Sequence, residues 1–222
     1  FDVNKTTDEK DKNNLLEYIK DPLSHKLFLI TLSRSRTNNR FCRDKTLIEL
    51  LVKIFKEILD TAEKNMNYEA AKNCIILSQT FYYLDEKDPN KKVYISDFIN
   101  KHKWLGSEEY WSNFSIYNLK KEFKKIEDTH KDVVVNVEKN ININENIKRK
   151  ISDIMFSQLL PFVKNMDDFG LDKKSIVKII ERILKKYNYL SEVNKNAIYG
   201  TIFNDAKELE KIENELKLSN DE

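Results

Sequence analysis

Ala70–Tyr83, AAKNCIILSQTFYY, is the stretch that decides the fold. Ala71, Ile75, Ser78 and Tyr82 recur at helical spacing, and Cys74, Leu77 and Phe81 flank them. The apolar face is therefore broad, as in a helix packed on more than one side. The spacing predicts a central helix from about Tyr68 to Leu84, with an aromatic end and no residue suited to catalysis within it.

Working outward, the same period recurs. Upstream, Leu47, Leu50, Leu51, Ile54, Phe55, Ile58 and Leu59 predict a helix over Lys45–Lys64, with Asp44 as its cap. Before it, short helices are expected at Asn13–Lys20 and from Pro22 to Leu32, followed by a polar, basic stretch, Ser33–Arg43. Downstream, Asp88-Pro89-Asn90 is a turn. Helices are expected over Val93–His102 and over Ser107–Ile126, the latter carrying Tyr110, Trp111, Phe114, Tyr117 and Phe123. A further helix starts at Ile147, with Pro161 expected to kink or end it. Phe169-Gly170-Leu171 is a stop and Asp172 a new cap. Ile176, Ile179, Ile180, Ile183 and Leu184 mark Lys173–Tyr187. The last helix is expected over Val193–Leu218. Thr129–Asn146 alternates with a period of two at Val133, Val135 and Val137. A hairpin, a loop and a helix extension all fit there, and a non-helical insertion is the preferred reading.

Composition agrees with an all-α fold. The 222 residues include only 3 Gly and 3 Pro, too few for a chain of tight hairpins. Hydrophobic residues make up 40%, enough for a sizeable core. The expectation is a single multi-helix domain over 13–218, about eight helices in an array of antiparallel hairpins, with polar tails at 1–12 and 219–222. Basic and acidic residues number 39 and 37, a net charge of +2, so no global field selects a polyanion and nucleic acid is disfavoured. Two cysteines, Cys42 and Cys74, fit a reduced, cytoplasmic compartment better than a disulfide scaffold. The start at Phe1 suggests a piece of a longer protein.

The chemistry-bearing residues are scattered. His25, His102 and His130 fall on different elements, and His102 beside Trp104 reads as a packing or capping residue before it reads as a base. No HExxH, CxxC, GxSxG or P-loop pattern occurs, so no catalytic residue, metal ligand or cofactor is implied. Arg34, Arg36, Arg40 and Arg43 cluster in a stretch without nearby acids, and Lys120 and Lys124 in a second cluster. Together they form a candidate anion or partner contact, because guanidinium forks suit phosphate. A phosphoinositide or nucleic-acid module using the loop 33–43 is thus an alternative to a protein-binding role.

Three segments resemble a known family. They are AAKNCIILSQTFYY, then YISDFINKHKWLGSEEYWSNFSIYNL (Tyr94–Leu119), then FSQLLPFVKNMDDFGL (Phe156–Leu171). In order, they resemble the helical domain of the SET-binding-factor proteins, which are myotubularin-related pseudophosphatases, a domain shared with a small brain-expressed cytoplasmic family. The resemblance spans roughly Leu47–Tyr187. It departs where H-x-x-W shortens to His102-Lys103-Trp104, where Tyr110 replaces Phe, and at the Thr129–Asn146 insert. The residues that carry it are Gln79, Phe81, Tyr82, Trp104, Trp111, Phe162, Asn165 and Phe169, a set that suits structural roles. It implies a non-enzymatic scaffold working with protein partners in membrane trafficking or at the cell cortex. Peripheral membrane association would then come through a larger assembly. The apolar period of the last helix also allows a homodimer.

Overall fold

A computed structural model describes residues 9–36, 45–129, 135–203 and 206–218. Among them are ten helices and one two-stranded ribbon, an all-α chain. It divides into two compact units, Phe1–Trp104 and Leu105–Glu222.

The first unit is built on α3 (Lys45–Lys64), which buries Leu47, Leu51, Ile54, Phe55, Ile58, Leu59 and Ala62. Its apolar residues repeat at i, i+3, i+4 and i+7, so one side is apolar along the whole length. Around it pack α1 (Glu9–Ile19), α2 (Pro22–Ser35), α4 (Tyr68–Ser78) and α5 (Ser96–Ile99). Asp21 caps α2 by accepting from Leu23 N at 3.2 Å, and Pro22 takes the first helical position, where no amide is needed. Buried His25 reaches back to the Ile19 carbonyl through Nε2 at 2.5 Å. The α3–α4 turn is closed by Asn67 N to Ala62 O at 2.8 Å and Met66 N to Glu63 O at 3.2 Å, with Met66 left-handed at φ 51°.

The central helix is shorter than its period suggests. α4 ends at Ser78, where the hydroxyls of Ser78 and Thr80 donate to the Ile75 and Ile76 carbonyls at 2.8 and 2.7 Å. Thr80, Phe81, Tyr82 and Tyr83 are β-branched or aromatic and favour extended backbone. β1 (Tyr82–Leu84) accordingly pairs antiparallel with β2 (Lys92–Tyr94), Tyr82 opposite Tyr94. The turn between them is held by Asp85 and Asp88, which accept from Lys87 N at 2.8 Å and Asn90 N at 3.1 Å. The helix expected over Val93–His102 is therefore β2 followed by the four-residue α5.

The second unit contains α6 (Glu108–Thr129), α7 (Glu145–Asp168), α8 (Lys173–Lys186), α9 (Glu192–Tyr199) and α10 (Ala206–Leu218). α6 packs on both α7 and α8, α9 on α7, and α10 on α8. Four points differ from or refine the sequence reading. Residues 135–144 are non-helical and form a single antiparallel bridge, Asn136 to Ile141, with Val135 and Val137 buried. Pro161 does not end α7; it lies on the exposed side, where water can take the Ser157 carbonyl its ring cannot serve. Gly170 (φ 83°) stops α7, with Leu171 N on Met166 O and Gly170 N on Asp167 O, both at 2.9 Å. The last expected helix is two. After Tyr199 the backbone turns on short i to i+3 bonds, and Thr201 Oγ1 donates to Ile198 O at 2.7 Å. Ile198 and Leu216, read as one apolar period, thus belong to separate helices.

Candidate functional site

The two basic clusters begin in different units. Arg34 lies in the last turn of α2 and Arg36 at its C-cap, where cations suit the carbonyl end of the helix dipole. They are on a helix end, not in a loop, because α2 runs three residues past Leu32. Arg40, Arg43, Cys42 and His130 lie outside the described residues. In the second unit, Lys120 pairs with Glu138 at 2.9 Å, and Tyr187 OH donates to the same carboxylate at 3.0 Å. The Lys120 hydrogen bond, helped by Tyr187, holds the Glu138 carboxyl below its ordinary range. Lys124 is exposed on α6.

The residues that carry the family resemblance are mostly interior. Phe81 and Trp111 are fully buried, and Trp104, Phe162 and Phe169 nearly so. Trp104 stacks on Tyr68 at 5.9 Å. Trp111 donates through Nε1 to the Leu105 carbonyl at 2.6 Å and meets Phe114 at 5.8 Å and Phe169 at 6.2 Å, while Phe162 lies 4.9 Å from Phe114. Tyr82 sits in the ribbon under the Lys92 ammonium, at 4.6 Å. Gln79 and Asn165 stand at helix ends, Gln79 as the C-cap of α4 and Asn165 accepting from Phe169 N through its carbonyl at 2.9 Å.

One group of side chains has the makings of a metal centre. Asp60, Glu63 and His102 bring a ligand atom each within 4.8 Å of one another. The hydrogen bonding opposes that use. His102 Nδ1 accepts from Trp104 N at 3.3 Å, so in the neutral ring the proton sits on Nε2, which faces Asp60 Oδ1 at 3.2 Å. A metal-binding imidazole needs a bare nitrogen toward the ion and an N–H on the other side. Glu63 is also engaged by Lys103 at 3.3 Å. The group is a clamp fastening the chain after α5 to α3.

An open groove of about 1130 Å³ lies in the second unit, between α8, α9, α10 and the start of α6. Along α8, Lys174, Lys178, Arg182 and Lys185 follow one another at helical spacing and line it. Leu184, Leu190 and Leu216 supply its apolar lining. Lys178 pairs with Glu108 at 3.0 Å and Lys195 with Glu181 at 3.4 Å. Burial acts to raise the Glu108 carboxyl, but hydrogen bonds from Lys178 and Ser175 outweigh it and hold the group below its usual range. Asp172, the cap of α8, is held low by the Ser175 amide. The Ser175 hydroxyl lies 2.7 Å from Asp172 and 2.9 Å from Glu108. The sequence reading missed this groove, although the signal was local: the α8 face opposite its isoleucines carries Lys174, Lys178, Arg182 and Lys185, interrupted only by Glu181.

No protein-family model, curated protein or solved structure matches the chain.

Proposed function

We propose that the chain is a non-enzymatic protein-interaction module, a scaffold that seats a segment of a partner in the groove of α8, α9 and α10. The observation that carries this reading is the groove's lining, which sets leucines beside a row of α8 cations. At about 1130 Å³ and open to solvent, it exceeds the usual small-molecule pocket of roughly 300–1,000 Å³ and suits a peptide. The matching segment is amphipathic, with apolar anchors and acidic residues at helical spacing. The resemblance to the SET-binding-factor helical domain supports the same class of role, with trafficking or the cell cortex as its setting.

Selection of acidic, amphipathic peptides by display against the 222-residue chain tests this directly. Selected peptides should slow hydrogen exchange in α8, α9 and α10. Their affinity should fall about tenfold or more in Leu184→Asp, with the circular dichroism unchanged. Peptides that bind Leu184→Asp as tightly as the wild type, or that protect other helices, overturn the reading.

A further inference from the structure

The outer side of α2 does not match its surroundings. Its inner side is apolar, as expected, with Phe28, Leu29 and Leu32 buried. Its outer side carries Leu23, Leu27 and Ile30 at i, i+4 and i+7, exposed by 79%, 69% and 40%, and Tyr18 at the end of α1 is 71% exposed. Helices apolar on both sides are ordinarily covered on both sides. Side chains so exposed stand on a ridge; the walls of a groove would leave them half-buried. Three in line along the helix span about 10 Å, at 1.5 Å per residue.

On the α2 side of this ridge the charges have one sign. Lys26 and Arg34 are exposed on the outer side of α2, Arg34 continuing the leucine line one turn beyond Ile30, and Arg36 follows at the cap. No carboxylate side chain occurs between Pro22 and Arg36. Asp21, just before, faces the helix amides, and Glu17 is paired with Lys20 at 2.7 Å. In a chain with 39 basic and 37 acidic residues, a helix with no acid of its own is a local departure. A convex, apolar ridge edged by cations and a tyrosine complements a flat anionic surface whose interior is apolar.

We infer that the α1–α2 ridge is a peripheral attachment site for an anionic lipid bilayer, with Leu23, Leu27 and Ile30 entering the headgroup boundary and Lys26 and Arg34 meeting lipid phosphates or carboxylates. The helix lies along the surface; no described helix is long and apolar enough to cross a membrane. The site belongs to the first unit and is independent of the groove proposed for a protein partner, so either can fail alone.

Co-sedimentation of the full chain with vesicles tests it. Vesicles of phosphatidylcholine with phosphatidylserine should carry the protein down, and vesicles of phosphatidylcholine alone should not. Added salt should weaken the binding. Leu23→Glu with Leu27→Glu should remove it, Lys26→Gln or Arg34→Gln should each weaken it about fivefold, and Val193→Glu, at an exposed position of the other unit, should leave it unchanged. Thermal melting of the double variant should match the wild type, since both leucines are exposed. No sedimentation with the phosphatidylserine vesicles at low salt, or equal sedimentation of the double variant, overturns the inference. So does a wild-type dimer in analytical ultracentrifugation that the double variant dissociates while vesicles bind neither, which would assign the ridge to a second copy.

Discussion

Met66 and Gly170 occupy equivalent positions, each the left-handed residue that closes a helix, at φ 51° and 83°. In both, the next amide reaches back five residues and the left-handed residue's own amide three. Glycine takes that conformation freely, whereas an L side chain is strained there by about 1–2 kcal/mol. Gly170→Ala should therefore destabilise the chain by about 1 kcal/mol. The cost is backbone strain alone, because an added Cβ would meet nothing within 4 Å. Met66→Gly should stabilise it by about 0.5 kcal/mol, the relief being partly offset by a freer unfolded chain. Urea unfolding of the two variants measures both, and a loss in Met66→Gly would mean that the half-exposed methionine packs more than its backbone strains. The sequence shows only one of these positions. Phe169-Gly170-Leu171 announces a stop through its glycine. Met66 gives no such sign, since its conformation is imposed by the two helices it joins.

Among the elements, legibility followed how local the determining forces are. α3, α6 and α8 were readable because their burial repeats with the helical period over many turns; Ser107 and Asp172 accept from the first amides of α6 and α8, while Asp44, the cap expected for α3, lies outside the described residues. Ala70–Tyr83 misled at its end for a physical reason. Phe81 is fully buried just before the ribbon, as it would be in a helix, so apolar spacing cannot tell the two apart. The decision is made by the return strand Lys92–Tyr94, many residues away. The break at Gly200–Phe203 is hidden in the same way by Ile198 and Ile202, which continue the period. As a helix end Pro161 misled in the opposite direction, since a helix that is long and well packed on one side tolerates a proline on the other. Pro161→Ala should restore the amide that would bond the Ser157 carbonyl and should stabilise α7 by about 1–2 kcal/mol, after allowance for the freer unfolded chain. A rise in the urea midpoint checks it; an unchanged midpoint would show that water already serves that carbonyl at no cost.

For the whole molecule, the candidate surfaces were less legible than the fold, because a groove and a ridge depend on which sides neighbouring helices leave open. The cations of α8 and the leucines of α2 are plain in the sequence, but their exposure is not. The pH dependence of stability is likewise a sum over the folded chain. Asp85, Glu108, Glu138 and Asp172 are all held below their ordinary values, and of the clearly shifted carboxyls among the described residues Asp168 alone is raised, by burial. The unfolded chain therefore takes up protons first as pH falls through the ordinary values of 4.5 and 3.8, and stability drops from there until the folded carboxyls also protonate. Protonation also leaves 39 basic side chains unopposed, which adds repulsion. On the alkaline side the sign reverses. Burial pushes the Cys74 thiol far above its ordinary 9.0, and burial with the Glu138 hydrogen bond pushes Tyr187 above 10.0. The unfolded chain releases these protons at the ordinary values and the folded chain keeps them, so stability falls as pH rises past 9.0 and falls faster past 10.0. Melting temperature against pH should show a plateau from about pH 5.5 to about pH 8.5, with a limb on each side. Cys74→Ala separates the alkaline contributions. Removing the buried sulfur should cost about 1 kcal/mol at every pH on the plateau, a packing loss that does not titrate. The same change removes the first group to lose its proton on unfolding, so the variant's alkaline limb should begin nearer 10.0, the ordinary value for tyrosine. Parallel curves for the variant and the wild type between pH 9 and pH 10 would show that the thiol does not govern the onset.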